Sequence, residues 1–417
     1  MNTLQEIQFL DESEIGMISQ GHIGCNPSCI CEPLRNFSSL NVKAQIVGID
    51  NKESAREVVC DAPYRNRELN LSDVFYANNV GKLDIANANI AHIEEDLLFN
   101  AKYLTQIYIR HSRLANIPSQ LFNFSNDIQV LDLSFNSISN LNFLSNGQLN
   151  KLKVLNLQNN RISSLVLPDV VSLNSLIVFI LSNNVIMVQR PLTQYNLPRL
   201  KALDLSYNHL ESIPSGTFAC CSKVELLDLS HNRFEGVQMA SFKNLTSLRT
   251  LNLDYNQIAH LPNNFLHSLP ALEFLHLGHN LLSTFLYEKA MFPSALKDLM
   301  LDSNQIKEIS VNMSKSLKNL NNLDCIHLDN NSISYLPAHA FRSLLNIEVI
   351  GLDVNPISGM DPHAFVELPN LKSIRLTGEC YRCRYDMQRK PGEAIPEHAA
   401  IIRQDATNCA FPDIIDL

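Results

Sequence analysis

Ten cysteines carry the most reactive chemistry in this chain, and their spacing sorts them. Cys25, Cys29 and Cys31 form a C-x3-C-x-C run with Cys60 beyond it, and toward the other end Cys380 and Cys383 form C-x-x-C with Cys409 beyond. A C-x-x-C pair can run redox exchange, or hold zinc when a second pair or a histidine cluster follows at ligand spacing. Nothing of that kind follows Cys383, so structural disulfides are the expected use, and those persist in oxidising compartments. Three cysteines from 380 onward leave one unpaired, matched to a fourth beyond Leu417, or bonded to a disulfide-linked partner chain. Cys220, Cys221 and Cys325 stand apart from both groups. Six N-x-S/T sequons, at Asn36, Asn70, Asn123, Asn244, Asn312 and Asn330, mark candidate glycosylation sites and agree with an extracellular setting.

Catalytic signatures are missing from the sequence. It contains no G-x-S-x-G, H-E-x-x-H, P-loop or strand-to-helix G-x-G-x-x-G, so the expectation is a protein that is not an enzyme and needs no cofactor or metal. Of its 417 residues 45% are apolar and 18% charged, which is enough hydrophobic sequence to fold, and 13 Gly with 18 Pro rule out a collagen-like chain. No uncharged apolar run reaches the roughly 18 residues of a membrane span, so no membrane insertion is expected. The net charge of −9 comes without a basic block, which argues against nucleic acid and toward a protein or glycan ligand.

The elements that position any binding residues are set by a repeat. Segments of the form L-x-L-x-x-N-x-L place asparagine at 136, 160, 184, 208, 232, 256, 280, 304, 331 and 355, a period of 24 broken once by 27. The same ruler reaches Leu83-Asp84-Ile85 with Ala88 in the Asn slot, Ile107-Tyr108-Ile109 with Ser112, and Ile374-Arg375-Leu376 with Glu379, giving 13 rows. Phe122, Phe218, Phe242, Phe341 and Phe365 each fall fourteen residues before their slot. Each L-x-L predicts a short strand whose leucines point inward and whose intervening residues point outward. The asparagine amide, able to donate and accept at once, is predicted to satisfy backbone groups where the chain turns away. Stacked strands make a parallel sheet, and its outward side is the candidate binding surface.

That surface is expected to carry Tyr108 and Arg110 in an early row. Later rows add an acidic patch of Asp254, Asp298, Asp302, Asp329 and Asp353 with His276, His279 and His327, whose histidines beside carboxylates would titrate near neutrality. A second feature is a column one residue before the Asn slot: Phe135, Tyr207, His231, Tyr255 and His279, an arrangement suited to protein or glycan contact. Asn330 falls in that column. Cys221 takes a slot filled by Leu245 in the next row and is expected to be buried, Cys220 to be more exposed, and Cys325 to face outward.

With these residues in place the chain closely resembles the extracellular leucine-rich repeat family with 24-residue repeats. The resemblance implies an α/β solenoid, a horseshoe of about 13 repeats with a parallel concave sheet, an irregular or 3₁₀ convex side and a cysteine cap at each end. It divides the sequence into an N-terminal segment 1–24, a cap 25–66, repeats 67–379 and a second cap 380–417. Cys25, Cys29, Cys31 and Cys60 resemble the amino-terminal cap, and Cys380, Cys383 and Cys409 a degenerate carboxy-terminal one. Residues 1–24 show no basic start followed by an apolar stretch, so a signal peptide is not expected in this sequence and it reads as a mature or truncated start. Looser similarity to insect leucine-rich immune proteins implies secreted innate-immune recognition or scaffolding through the concave face. The alternatives are the ligand-binding ectodomain of a Toll-like or adhesion receptor, and a structural matrix protein.

Overall fold

The computed structural model describes residues 43–47, 56–61, 80–376 and 400–402, with gaps at 91, 100, 102, 146, 167–170, 188–191, 193–194, 263–264, 285–292 and 310–319. Cys25, Cys29, Cys31, Cys380, Cys383 and Cys409, and the sequons at Asn36, Asn70 and Asn312, lie outside the described residues. Two compact units divide the chain: Met1–His209 with Ala219–Val224 and Asp416–Leu417, and Leu210–Phe218 with Glu225–Ile415.

In the first unit the strands Val80–Ala86, Gln106–Arg110, Val130–Asp132, Val154–Asn156, Val178–Ile180 and Ala202–Asp204 run parallel in chain order, each paired with the next. The register is one full repeat, so Leu131 sits beside Leu155 and Leu155 beside Phe179. Ahead of them Arg56–Asp61 pairs parallel with Val80–Ala86 and antiparallel with Lys43–Val47. Cys60, on Arg56–Asp61, is thus in the sheet, opposite Ala44 on one side and Ile85 on the other.

The second unit repeats the plan with Leu226–Asp228, Thr250–Asn252, Phe274–His276, Asp298–Met300, Cys325–His327, Val349–Gly351 and Ser373–Arg375, followed by Ala400–Ile402. Strands of three residues are marginal alone. They persist because each inward leucine is sealed between the rows on either side: Leu251, Leu253, Leu275 and Leu277 are all fully buried, and burial of such a side chain contributes about 1.5–3 kcal/mol. The back of each unit is made of turns and short 3₁₀ segments such as Asn142–Leu144 and Met239–Ser241. The phenylalanine column seals it there, with Phe218 and Phe242 6.1 Å apart and Phe341 stacked on Phe365 at 5.7 Å.

The asparagine slot works as its chemistry demands. In the first unit the Asn208 amide donates to the carbonyls of Leu181, Leu205 and Ser206 and accepts the Ile186 N–H at 2.9 Å. In the second, Asn256 donates to Leu229, Leu253 and Asp254 and accepts from Phe234. One side chain thereby ties its own turn to the preceding one and gives four backbone groups at the corner a partner. Outward Asp132, Asn156, Asp204, Asp228 and Asn252 have a similar structural duty: each accepts the N–H of the residue two further on, which is why L-D-L-S recurs in these rows.

Candidate functional site

The outward face has three columns per row and a rim, and the rim has an unusual backbone. The residue before each Asn slot is left-handed throughout, from Asn87 (φ 58°) through Phe135 (56°), Tyr207 (52°), Tyr255 (53°) and Asn330 (53°) to Val354 (55°). Asn tolerates this region, while larger side chains pay roughly 1–2 kcal/mol for it, and a β-branched residue such as Val354 is an outlier. Aromatic rings at this position therefore stand at sites where asparagine would be easier on the backbone.

In the second unit the rings line up. His231, Tyr255 and His279 stack at 4.1 and 3.9 Å between centroids, with interplanar angles of 11° and 9°. Tyr255 is 46% exposed, yet both of its faces are covered, so ring edges, a hydroxyl and imidazole nitrogens meet solvent. Burial pushes the His231 imidazole below its ordinary pKa. The first unit has a shorter stack, His111 on Phe135 at 4.1 Å, together with an exposed Tyr207. Val354 is the most exposed large apolar side chain among the described residues, at 65%.

Behind the second unit's rim lie the acids. Asp254 and Asp302 lean toward each other across Gly278: the Gly278 N–H donates to Asp254 Oδ1, and a Cβ at that glycine would meet Asp302 Oδ1 at 2.7 Å and Asp254 Oδ1 at 3.3 Å. His279 Nε2 lies 3.6 Å from Asp302 Oδ2. Farther along, Arg375 donates to Asp329 Oδ2 at 3.0 Å and reaches His327 Nδ1 at 2.7 Å. Guanidinium has no acceptor, so His327 Nδ1 must accept, which places the ring proton on Nε2, 3.5 Å from Asp298 Oδ1. Gly351 gives this network its room, since a Cβ there would meet Asp329 Oδ2 at 2.3 Å. Burial raises the Asp298 carboxyl above the ordinary range.

Several expectations change. His276 and His327 belong to this face but are each only 6% exposed, flanked by neighbouring rows, so they support the surface from within. His276 does not titrate near neutrality: burial lowers it to about 4. Cys325 lies on the outward side of its strand with His327, but it is buried and disulfide-bonded. Cys221 is fully buried and Cys220 half-buried, as their slots require. Arg110 is committed as well: its Nη2 donates to both carboxylate oxygens of Asp84, at 2.8 and 2.9 Å. Burial opposes the Arg110 charge, but the Asp84 hydrogen bonds together with the charges of Asp84, Asp132 and Tyr108 raise the guanidinium pKa. Arg110 and Lys82 lie 5.4 and 5.2 Å from the Tyr108 ring centre, so Tyr108 is framed by cations. Among the sequons, Asn123, Asn244 and Asn330 are exposed, and the Asn330 amide donates to Ser303 Oγ.

The opposite margin of the sheet holds a feature that the reading of single rows missed. Arg249 and Lys297 both grip Glu273, at 2.7 and 2.8 Å, and Lys372 pairs with Glu348 at 2.7 Å. Alternating signs at a 24-residue spacing were the available signal. Among the described residues no group of three or more His, Cys, Asp or Glu could hold a metal ion, and no helix is long and apolar enough to cross a membrane.

Short parallel strands stacked one repeat apart, most of them locked by a slot asparagine, define a leucine-rich repeat solenoid. The chain belongs to the leucine-rich repeat family: the Leucine rich repeat model matches residues 175–234, 222–282 and 321–379, and the BspA type Leucine rich repeat region model matches 71–192. Solved structures of the same fold include an internalin from Listeria monocytogenes (22% identity, TM-score 0.54, 78% of this chain and 87% of that one). Another is Toll in the Toll–Spatzle complex from Drosophila (20% identity, TM-score 0.57), where 80% of this chain matches 42% of the other. A third is the LRIM1/APL1C complex (19% identity, TM-score 0.53), covering 79% of this chain and 58% of the matched one. No curated protein matches the sequence. Leucine-rich repeat proteins are in general recognition scaffolds without enzymatic activity.

Proposed function

We propose that this chain is an extracellular, non-enzymatic recognition protein that docks a protein partner on the outward sheet face of its second unit. The observation that carries the reading is the exposed stack of His231, Tyr255 and His279. At its centre Tyr255 occupies a left-handed position that suits asparagine better, and a strained side chain at a surface points to a use outside the fold. Behind the rings, Asp254 and Asp302 offer carboxylates to the partner's basic groups. The stack also chooses between ligand classes. A sugar docks best on an open ring face, and Tyr255 has none, whereas ring edges with polar tips suit a polypeptide.

In this reading the role is innate-immune recognition or scaffolding, with the ectodomain of a Toll-like receptor as the second form. Two of the similar structures are protein assemblies, Toll with Spatzle and LRIM1 with APL1C. Capture of the full chain from extracellular fluid, with non-reducing and reducing mass analysis of what accompanies it, tests the proposal. A stoichiometric protein partner lost by the Tyr255→Asn, Asp302→Asn double variant supports it. Equal capture by that variant, or recovery of free glycans alone, overturns it.

A further inference from the structure

Phe99 and Phe124 stand in the turns at the back of the first unit, 55% and 47% exposed, and meet edge to face with ring centres 4.8 Å apart. They belong neither to the sheet face nor to the core. The local sequence explains why they point out. Each turn spends two apolar side chains on the interior, Leu97 and Leu98 in one row and Leu121 and Phe122 in the next, all of them buried. The backbone then closes on itself, with the Phe99 N–H donating to the Asp96 carbonyl at 2.8 Å and the Asn123 N–H to the Gln120 carbonyl at 3.0 Å. The side chains that follow the buried pair face solvent.

Phe99 and Asn123 lie one 24-residue repeat apart, so they take equivalent positions in successive rows. The exposed Asn123 therefore has Phe99 in the row before it and Phe124 as its next residue. Asn123-Phe124-Ser125 is also a glycosylation sequon. The other two exposed sequons have Leu245 and Asn331 as the next residue, both buried, and Cys220 and Ser303 one row before. Of the three, Asn123 alone has rings in both places. An edge-to-face pair keeps open ring faces, whose negative charge attracts the C–H groups of a sugar. Left uncovered, such a pair is an adhesive patch.

We propose that Asn123 carries an N-linked glycan whose first sugars lie over the Phe99–Phe124 pair and cover it. This rests on the extracellular setting proposed above and on none of the docking residues. The Asn123 Nδ2 attacks C1 of an N-acetylglucosamine carried as a lipid-linked oligosaccharyl diphosphate. An N–C1 bond forms as the C1–O bond to the diphosphate breaks, the lipid diphosphate leaves, and the amide gives one proton to a base of the transferase. Ser125 is buried in the folded turn, its Oγ donating to the Leu98 carbonyl at 3.4 Å, so the sugar is attached before this turn packs. The finished turn leaves Asn123 outside to carry it.

The test secretes the full chain from eukaryotic cells behind a signal peptide, maps its glycopeptides by mass spectrometry, and compares the folded protein before and after enzymatic release of N-glycans. Asn123 should be occupied in most molecules, and release should raise bis-ANS fluorescence about threefold, since the dye reports exposed apolar surface. The Phe99→Ser, Phe124→Ser double variant should stay glycosylated and lose that rise. A bare Asn123 on a chain glycosylated at Asn244 or Asn330 would overturn this proposal and leave the extracellular setting standing. A dye signal unchanged by release from an occupied Asn123 would also overturn it. Recovery of the chain from its native source inside cells and without glycan would overturn the setting and this proposal together. If the double variant fails to fold, the wild-type map and its response to release still decide.

Discussion

The rings of Tyr255 and His279 lie 3.9 Å apart and 9° from parallel, on two residues that share a φ of 53°. Two effects therefore oppose each other at Tyr255. Replacement by Asn relieves left-handed strain of roughly 1–2 kcal/mol and gives up stacking worth about 0.5–1.5 kcal/mol. Tyr255→Asn should leave the urea midpoint nearly unchanged while weakening partner binding at least several-fold. A stability loss of several kcal/mol would assign the stack to the fold instead.

The asparagine slot should behave in the opposite way. Asn256→Ala strands the Phe234 N–H and removes a donor from three carbonyls at a buried corner. A loss of about 2–4 kcal/mol is expected in denaturant unfolding. Asn330→Ala removes one exposed bond to Ser303 and leaves alanine at a left-handed position, so it should cost about 1–2 kcal/mol, less than the buried slot.

Acid should weaken the second unit through His276. Its folded pKa of about 4 lies below the ordinary value of 6.5, so the unfolded chain takes up the proton first. The stability associated with neutral His276 is complete above pH 6.5 and falls away between 6.5 and 4, by roughly 3 kcal/mol at about 1.4 kcal/mol per pH unit. Asp298, raised by burial, works against this trend because the folded state favours its protonated form. His276→Gln should flatten the loss of melting temperature between pH 7 and 5, and an unchanged slope would locate the sensitivity elsewhere.

Gly351 is held small by its neighbours. Gly351→Ala puts a methyl group 2.3 Å from Asp329 Oδ2 and 2.8 Å from Arg375 Nη2, so the ion pair must part. A loss of about 1–3 kcal/mol is expected, readable as a lower melting temperature. Arg375→Ala in the same background should then cost less than it does alone, because the pair is already broken.

The period made much of this architecture legible before any coordinates. The rows with Ala88 and Ser112 in the Asn slot still form strands, because L-x-L sets the direction of the side chains whether or not the amide is present. Direction is not environment, however. Alternation puts His276 and His327 on the outward side but says nothing of the neighbours that cover them, and the group that fixes the His327 tautomer is Arg375, 48 residues away. The left-handed rim was visible only as a preference for Asn, His and Tyr, which resembled ordinary repeat statistics until the backbone angles supplied its cause. Of the candidate contacts, Tyr255, His279 and Asp302 keep solvent access, while Arg110 is spent on Asp84.

The reach of each asparagine also bears on how the molecule answers to force. Apart from the 27-residue row, the bonds of Asn208 and Asn256 to other turns span 22 or 27 residues, and neither amide reaches past the turn before it. Tension on a unit is therefore borne by one corner at a time. Under a steady pull it should lengthen in small, even steps of about one turn each, beginning at a loose end, and on release rewind onto whatever turns remain.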